Sequence, residues 1–365
     1  MTRVLRAAIA AAASLALLAG CAAAGDPVGS IGEAPVDTRP LDQLELYPDP
    51  RAAEGPRTAV AASHLIEPVT DDVTQTLPAT VVSHDPGGPS TVTVTDTSRI
   101  IALDMAGSLS ATVWGLGLGD RLVGRDMSTT FPGTEQLPVV TSGAHAVNAE
   151  NVLALRPTLV LTDGTIGPRD VLEQLRQSGV TVVFLPNEAS FDGAAQLARD
   201  TAAALGVEAA GELLAERIAT QIDEVRAQID AIAPRNHDDK VRVVFLYLRG
   251  ASGIYYLFGS ESGADHLITA LGARDVAAEL GWEGMRPMTD EAMIQANPDV
   301  VLVMTDGLAS SGGVDGLLEA KPAIALTAAG QHRRIIDMAD GEVLSFGPRA
   351  PLVLDALARA LYTRP

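Results

Sequence analysis

Cysteine, basic residues and long apolar runs are scarce in this chain of 365 residues, and each scarcity excludes a class of protein. The single cysteine, Cys21, excludes an internal disulfide and a thiolate metal cluster, so any metal ligand must offer nitrogen or oxygen. Only 26 Lys and Arg residues stand against 46 Asp and Glu, and the net charge of -20 repels nucleic-acid phosphates. No nucleic-acid partner is therefore expected.

The first 21 residues have the order of a secretory leader. Arg3 and Arg6 precede a short uncharged apolar run that ends in the sequence LAGC at residues 18–21. This ending looks like a bacterial lipobox, in which a diacylglycerol is attached to the cysteine thiol. We therefore expect residues 1–20 to be a lipoprotein signal peptide and Cys21 to be lipidated. No later apolar run is long enough to span a bilayer, so the lipid would be the only anchor, on the extracellular face of the cytoplasmic membrane.

The next segment, residues 21–76, is rich in Pro, Ala, Asp, Glu and Gly and has no sustained periodicity. Such a composition predicts a flexible tether. The alternating sequences ATVVSH and TVTVT flank the turn sequence DPGG at residues 85–88, which indicates a β-hairpin. We expect the folded region to begin there.

From residue 77 onward, strands alternate with helices. The strands RIIALD, TLVLTD and TVVFL lie within residues 77–206, and VRVVFLYLR and DVVLVMTDG lie within residues 235–365. Because these strands are nearly continuous apolar runs, they favour parallel sheet covered on both faces. One module recurs, since AENVLALRP before TLVLTDG matches DEAMIQANP before DVVLVMTDG. The sequence thus predicts two α/β lobes of similar build.

A long amphipathic helix is predicted over residues 207–234, ending at Pro234. We interpret it as a strut that joins the two lobes, although the pattern also fits another covering helix. Two lobes joined in this way leave a cleft, which is where ligands bind by preference. The apolar stripe of this helix consists of Leu214, Ile218, Ile222, Val225, Ile229 and Ile232.

An exported lipoprotein with two α/β lobes and one long helix resembles the class III substrate-binding proteins of ABC importers for haem, siderophores and cobalamin. The resemblance covers about Leu77 to the C-terminus. The segments SGAHAVNAENVLALRP, FLYLRGASGIYYLFG and GWEGMRPMTDEAM are similar to those of the actinobacterial haem-binding lipoproteins. The resemblance implies a monomeric receptor, not an enzyme, that binds haem b with ferric iron in the cleft and delivers it to an ABC permease and its ATPase subunit.

Tyr247 and Arg249 lie two positions apart in a predicted strand, so their side chains project from the same face. A phenolate is a good ligand for ferric iron, but free tyrosine is neutral at pH 7, with a pKa near 10. A neighbouring guanidinium and the iron itself both favour the phenolate. Tyr247 is therefore the expected iron ligand and Arg249 its charge partner, and the resemblance implies the same roles. Tyr255 and Tyr256 alternate faces, so at most one points into the cleft.

His145 lies in a loop of the opposite lobe, just ahead of a predicted helix. It could therefore approach one iron from the face opposite Tyr247. Neutral imidazole is a common axial haem ligand, and the resemblance implies that role for His145. The other histidines are interpreted as surface or structural residues: His64, His84, His237, His266 and His332.

Trp282, Met285 and Met288 could supply an apolar wall against a porphyrin face, although ordinary packing explains them equally well. Arg286 and Arg349 are candidate partners for the haem propionates. The nearest rival cargoes are a ferric siderophore and cobalamin. A haem-dependent enzyme is a remoter alternative, because no acid–base constellation is recognisable.

The resemblance also implies that an acidic residue near the tip of each lobe meets arginines of the permease. Glu135 fits this role in the first lobe, and Glu261 or Asp265 fits it in the second. Both positions could equally be solvated surface.

Overall fold

The computed structural model describes residues 36–365. The predicted signal peptide and the lipidation at Cys21 lie outside the described residues. Among residues 36–365, no helix combines the length and the apolar character needed to cross a membrane.

The first lobe is built on a four-stranded, all-parallel sheet with the strand order β5-β4-β8-β9. A separate hairpin of β2 and β3 precedes it, and Gly88 N–H donates to Asp85 C=O at 2.9 Å in the predicted turn. Between β5 and β8 along the chain, β6 and β7 form a small antiparallel pair of their own. The strands of this lobe are β2 (Ala79–Ser83), β3 (Ser90–Val94), β4 (Ile100–Leu103), β5 (Leu122–Arg125), β6 (Thr141–Ser142), β7 (Ala146–Val147), β8 (Leu159–Thr162) and β9 (Thr181–Phe184).

The second lobe contains a mixed seven-stranded sheet. The strands β1, β15, β14 and β10 run parallel to one another, and β11 and β13 extend the sheet in antiparallel fashion. The short strand β12 pairs with the start of β10. The strands are β1 (Arg57–Ala59), β10 (Arg242–Arg249), β11 (Ile254–Phe258), β12 (Arg274–Asp275), β13 (Met285–Pro287), β14 (Val300–Met304) and β15 (Ile335–Met338).

Thirteen α-helices cover and connect the sheets in the described part of the chain. In the first lobe they are α1 (Ser108–Val113), α2 (Ala149–Ala154), α3 (Arg169–Gln177) and α4 (Phe191–Leu205), followed by the connecting helix α5 (Glu208–Ile232). In the second lobe they are α6 (Ala264–Ala270), α7 (Val276–Glu279), α8 (Asp290–Ala296), α9 (Thr305–Ser310), α10 (Gly313–Ala320), α11 (Pro322–Ala325), α12 (Ala328–Gln331) and α13 (Ala350–Tyr362).

The predicted strut is confirmed as α5, which runs from Glu208 to Ile232. Its stripe is buried at Leu214, Ile218, Ile222 and Ile229 within a cluster to which both lobes contribute. The recurring module is also confirmed, since α2 precedes β8 and α8 precedes β14. The two-lobed α/β architecture therefore agrees with the sequence-based prediction.

Each central sheet has one face toward the shared cluster and one face toward a core of its own lobe. In the second lobe, Val243 and Phe245 of β10 belong to the shared cluster. Val244 and Leu246 belong to a separate core formed by second-lobe residues, which we call the private core. This alternation follows from the two-residue period of a strand. Val243 and Phe245 of β10 therefore lie on the face of the sheet that packs against the shared cluster.

The predicted tether is wrong for residues 38–76, which are folded against the rest of the chain. The first part lies on α5 and the second lobe, and the last part lies on the first lobe, where Val69 N–H donates to the Gly115 carbonyl at 2.8 Å. Leu41 is fully buried and its N–H donates to the Gln228 side chain at 3.1 Å. The strand β1 pairs with β15, and the Thr58 hydroxyl donates to Asp337 at 2.9 Å. A strand of three residues is too short to show an alternation of apolar and polar residues. Because contacts distant in sequence stabilise this strand, local composition could not predict it.

Candidate functional site

Tyr247 lies near the end of β10 on the face that packs against the shared cluster. It is half-buried, and its ring lies parallel to that of Phe258, with the centroids 6.1 Å apart. On the adjacent strand, Tyr256 is its direct cross-strand partner and shares its face. Tyr255 is buried in the private core behind the sheet, so Tyr256 is the tyrosine of this pair that faces the site.

The guanidinium of Arg249 covers the ring of Tyr247, with its central carbon 4.8 Å from the ring centroid. The same guanidinium donates to the Leu248 carbonyl at 3.0 Å and forms an ion pair with Asp340 at 2.9 Å. The strand period brought Tyr247 and Arg249 to one face, as predicted. The position of Asp340 was not foreseen.

His145 ends a 3₁₀ turn of three residues between the short strands β6 and β7. Its φ of 56° lies in the left-handed region, which is uncommon for a residue with a side chain and costs roughly 1 kcal/mol. Within the described residues, the buried Nδ1 atom of His145 has no hydrogen-bond partner. Most buried polar groups are hydrogen-bonded, so this nitrogen is an exception among the described residues.

His145 and Arg249 belong to opposite lobes and act on each other. Partial burial lowers the pKa of His145, and the positive charge of Arg249 lowers the pKa further. A neutral imidazole at pH 7 is the form that binds iron. The charge of Arg249 in the second lobe thus acts on the predicted ligand of the first lobe.

The two lobes are also in direct contact with each other. A Cβ atom added to Gly341 would lie 2.8 Å from the backbone oxygen of Ser128 in the first lobe. The hydroxyl oxygens of Ser108 and Ser345, also from opposite lobes, are 3.4 Å apart. Since Gly341 directly follows Asp340, this contact between the lobes lies one residue from the partner of Arg249.

The three apolar candidates of the second lobe lie in different places. Met285 is 63% exposed and pairs with Phe258, which puts it on the same face as Tyr247. Trp282 and Met288 instead pack against the private core on the other face of the sheet. The side chain of Met285 is thus the one that the sheet register directs toward the cleft.

Two further methionines, missed in the sequence, project from the first lobe at the carboxyl ends of adjacent strands. Met105 follows β4 and Met127 follows β5, with exposed fractions of 46% and 42%. The carboxyl edge of a parallel sheet is where ligands bind in such folds. An Asp-Met pair after each of two predicted strands was the available signal.

Buried aspartates hold the loops that carry these methionines. Asp104 accepts hydrogen bonds from Ser108 N–H and Leu109 N–H, and Asp126 accepts from Asp104 N–H. Burial raises the pKa of both carboxyls, to about 6 for Asp126, and the nearby charge of Asp126 raises that of Asp104 further. The Met105 loop is therefore fixed by its own sheet edge.

The two arginines suggested as propionate partners differ in accessibility. Arg286 is exposed on the edge strand β13. Arg349 is 4% exposed at its side chain and pairs with Glu342 at 3.1 Å while donating to the Gly341 carbonyl. The suggestion is therefore wrong for Arg349, because its side chain is buried and its two terminal nitrogens are engaged by Glu342 and Gly341.

The acidic docking candidates also differ. Glu135 is exposed, and its carboxylate accepts from Gly133 N–H at 2.8 Å. Glu261 is exposed with a φ of 66°, and its N–H donates to the Asp265 carboxylate at 3.2 Å. Asp265 therefore shapes the loop, and Glu261 presents its side chain to solvent.

A family model described as "Periplasmic binding protein" matches residues 100–340. Among solved structures, the heme binding protein HmuT superposes with a TM-score of 0.82 and 39% identity, covering 87% of this chain and all of that one. Structures of HmuT with a histidine, a tyrosine or an arginine replaced are similar too, and the last two positions are two apart.

Among curated relatives, an uncharacterized ABC transporter substrate-binding lipoprotein of Bacillus subtilis, YvrC, is 27% identical over 292 residues, or 79% of this chain and 87% of the relative. A cobalamin-binding protein of Halobacterium salinarum is 28% identical over 221 residues, which cover 60% of this chain and 57% of the relative.

Proposed function

Because the chain belongs to the periplasmic binding protein family, we propose that it binds haem and delivers it to an ABC permease for uptake of haem or iron. Family membership confirms the predicted class of transport receptor, and such receptors are not enzymes. We further propose that the haem is haem b with ferric iron, bound between the lobes by Tyr247 and His145.

One observation carries this proposal: the Arg249 guanidinium covers the ring of Tyr247, and its charge lowers the pKa of His145 in the other lobe. A phenolate assisted by a guanidinium and a neutral imidazole are good ligands for the two faces of a ferric porphyrin. Met105 and Met127 on one side and Met285 on the other supply exposed, polarizable surface for the macrocycle. The naming of HmuT as a heme binding protein supports the same cargo.

Titration of haemin into the purified protein tests the proposal. We expect 1:1 binding that is weakened in Tyr247→Phe and in His145→Ala, with altered haem absorption spectra in both variants. The matched controls are Tyr255→Phe, which changes a tyrosine behind the sheet, and His266→Ala, which changes an exposed helical histidine. Unchanged affinity and spectrum in both site variants would refute the assignment of the ligands.

Cobalamin is the second candidate cargo, because a cobalamin-binding relative covers part of the chain. A ferric siderophore remains the third. Neither ligand needs a phenolate and an imidazole on opposite walls. Competition against bound haemin separates these cargoes: displacement by a stoichiometric amount of cobalamin or a siderophore would favour that rival over haem.

At the membrane, we propose that a lipid on Cys21 anchors a monomer and that Glu135 and Glu261 contact the permease. Both carboxylates are exposed, as a docking contact with arginines requires. Charge reversal to Lys at both positions should reduce haem uptake by cells without changing haemin affinity. Glu319→Lys, on the exposed side of α10, is the control, and equal uptake by all variants would exclude this docking pair.

A further inference from the structure

Asp340 is a partly buried carboxylate that follows β15 at the cleft edge of the second lobe. One of its oxygens accepts from the Arg249 guanidinium at 2.9 Å, and the other accepts from Asp306 N–H at 2.9 Å. Both oxygens are therefore used, and the side chain is only 21% exposed. A carboxylate held at both oxygens is a rigid anchor for its partner.

The guanidinium that it anchors has little room to move. A Cβ atom at Gly307 would lie 3.1 Å from Nη1 of Arg249 and 2.7 Å from the Leu248 carbonyl oxygen. Gly307 is the glycine of the recurring Thr-Asp-Gly sequence, so its small size leaves the space that Arg249 fills. The Leu248 carbonyl and Asp340 bind two different nitrogens of the guanidinium and set its orientation.

We infer that Asp340 is a positioning residue for haem binding: it holds Arg249 over the ring of Tyr247 and so sets the strength of the bond between phenolate and iron. This inference rests on the proposed function. Asp340 would act on the haem site through Arg249, because its other contact is with the backbone N–H of Asp306. Groups that orient a metal ligand typically contribute about 10- to 100-fold to affinity.

A double-mutant cycle tests this route of action. The haemin dissociation constant and the iron–phenolate vibration in resonance Raman spectra are measured for Asp340→Ala, Arg249→Ala and the double variant. We expect Asp340→Ala to weaken binding about tenfold and to shift the vibration. We also expect the double variant to match Arg249→Ala within about twofold, because residues that act as one unit are not additive.

Three further variants separate positioning from charge and from folding. Asp340→Asn keeps one acceptor oxygen, which can serve Arg249, but places an amide NH₂ against Asp306 N–H, so haemin affinity should fall less than in Asp340→Ala. Asp306→Asn removes an equal charge from an exposed neighbour whose backbone, not its carboxylate, contacts Asp340, and it should leave the vibration unchanged. If Asp340→Ala fails to fold, Asp340→Ser takes its place, because the serine side chain is too short to reach Arg249.

The outcomes distinguish this inference from the proposed function. Additive losses in the double variant, or an unshifted vibration in Asp340→Ala and Asp340→Ser, would overturn the positioning role while haem binding stands. Failure of the wild-type protein to bind haemin, or an iron–phenolate vibration that persists in Tyr247→Phe, would instead overturn the proposed function.

Discussion

The two walls of the cleft present their predicted ligands in opposite ways. Tyr247 belongs to an eight-residue strand, with its ring between Phe258 and the Arg249 guanidinium. His145 ends a three-residue turn, in a left-handed conformation and with an unpartnered Nδ1. A ligand held in advance loses less conformational freedom on binding than one that must be ordered. The second lobe should therefore determine affinity, and the first lobe should complete the coordination.

The largest effect is expected from Tyr247→Ala, which removes the ligand on the ordered wall. Haemin affinity should fall more than about 100-fold, beyond the range of residues that only orient a ligand. Titration followed by absorbance measures this, and Tyr255→Phe serves as the control. If Tyr247→Ala lost less haemin affinity than His145→Ala, the first lobe and not the second would determine affinity.

His145→Ala should lower haemin affinity less than Tyr247→Ala does, by about tenfold. Part of the favourable free energy from this imidazole is offset by the cost of ordering its turn. The haem spectrum should change from that of a six-coordinate iron while the iron–phenolate vibration remains. Stopped-flow transfer of haem to an excess scavenger gives the dissociation rate. If the vibration also disappeared, the two walls would not act separately.

Acid should remove the first-lobe ligand before the second. Burial and Arg249 lower the pKa of His145, which favours the neutral, ligating form, so histidine coordination should persist as the pH falls to 6.5 and disappear at lower pH. A pH titration of the haem spectrum follows this change. His145→Ala should show no such transition. A transition in the wild type above pH 6.5 would contradict the lowered pKa of His145.

Gly341→Ala should hold the walls slightly apart. The new Cβ would lie 2.8 Å from Ser128 O and 2.5 Å from the Thr130 hydroxyl oxygen, so we expect about 1–3 kcal/mol of destabilisation from overpacking. Histidine coordination should weaken while phenolate coordination remains. Urea unfolding and haem spectra provide the measurements. Gly87→Ala, with no atom within 4 Å of its Cβ, is the control, and equal behaviour of both variants would disprove the close contact.

The smallest effect on haem affinity is expected from Arg349→Leu. This change removes the arginine partner of the buried Glu342 carboxylate and leaves His64 as its remaining side-chain partner, so stability should fall by about 1–3 kcal/mol. Haemin affinity measured below the unfolding transition should stay within about twofold of the wild type. A selective loss of affinity without loss of stability would return Arg349 to the propionate contacts.

Local patterns predicted most of this fold and one half of the site. The strands, the connecting helix and the shared face of Tyr247 and Arg249 follow from periods of two and 3.6 residues. Asp340 was missed because only the pairing of distant strands brings it to Arg249. Met105 and Met127 left a local signal, the Asp-Met pair after each of two strands, that went unrecognised. The strand β1 was missed for a similar reason, since Thr58 meets a partner 279 positions away.

An experimental structure of the protein with ferric haem tests the central claim most directly. Our account predicts one iron between the lobes, coordinated by the Tyr247 hydroxyl oxygen and a His145 ring nitrogen, with Arg249 still paired to Asp340. An iron bound by other residues, or a porphyrin outside the gap between these two walls, would contradict it.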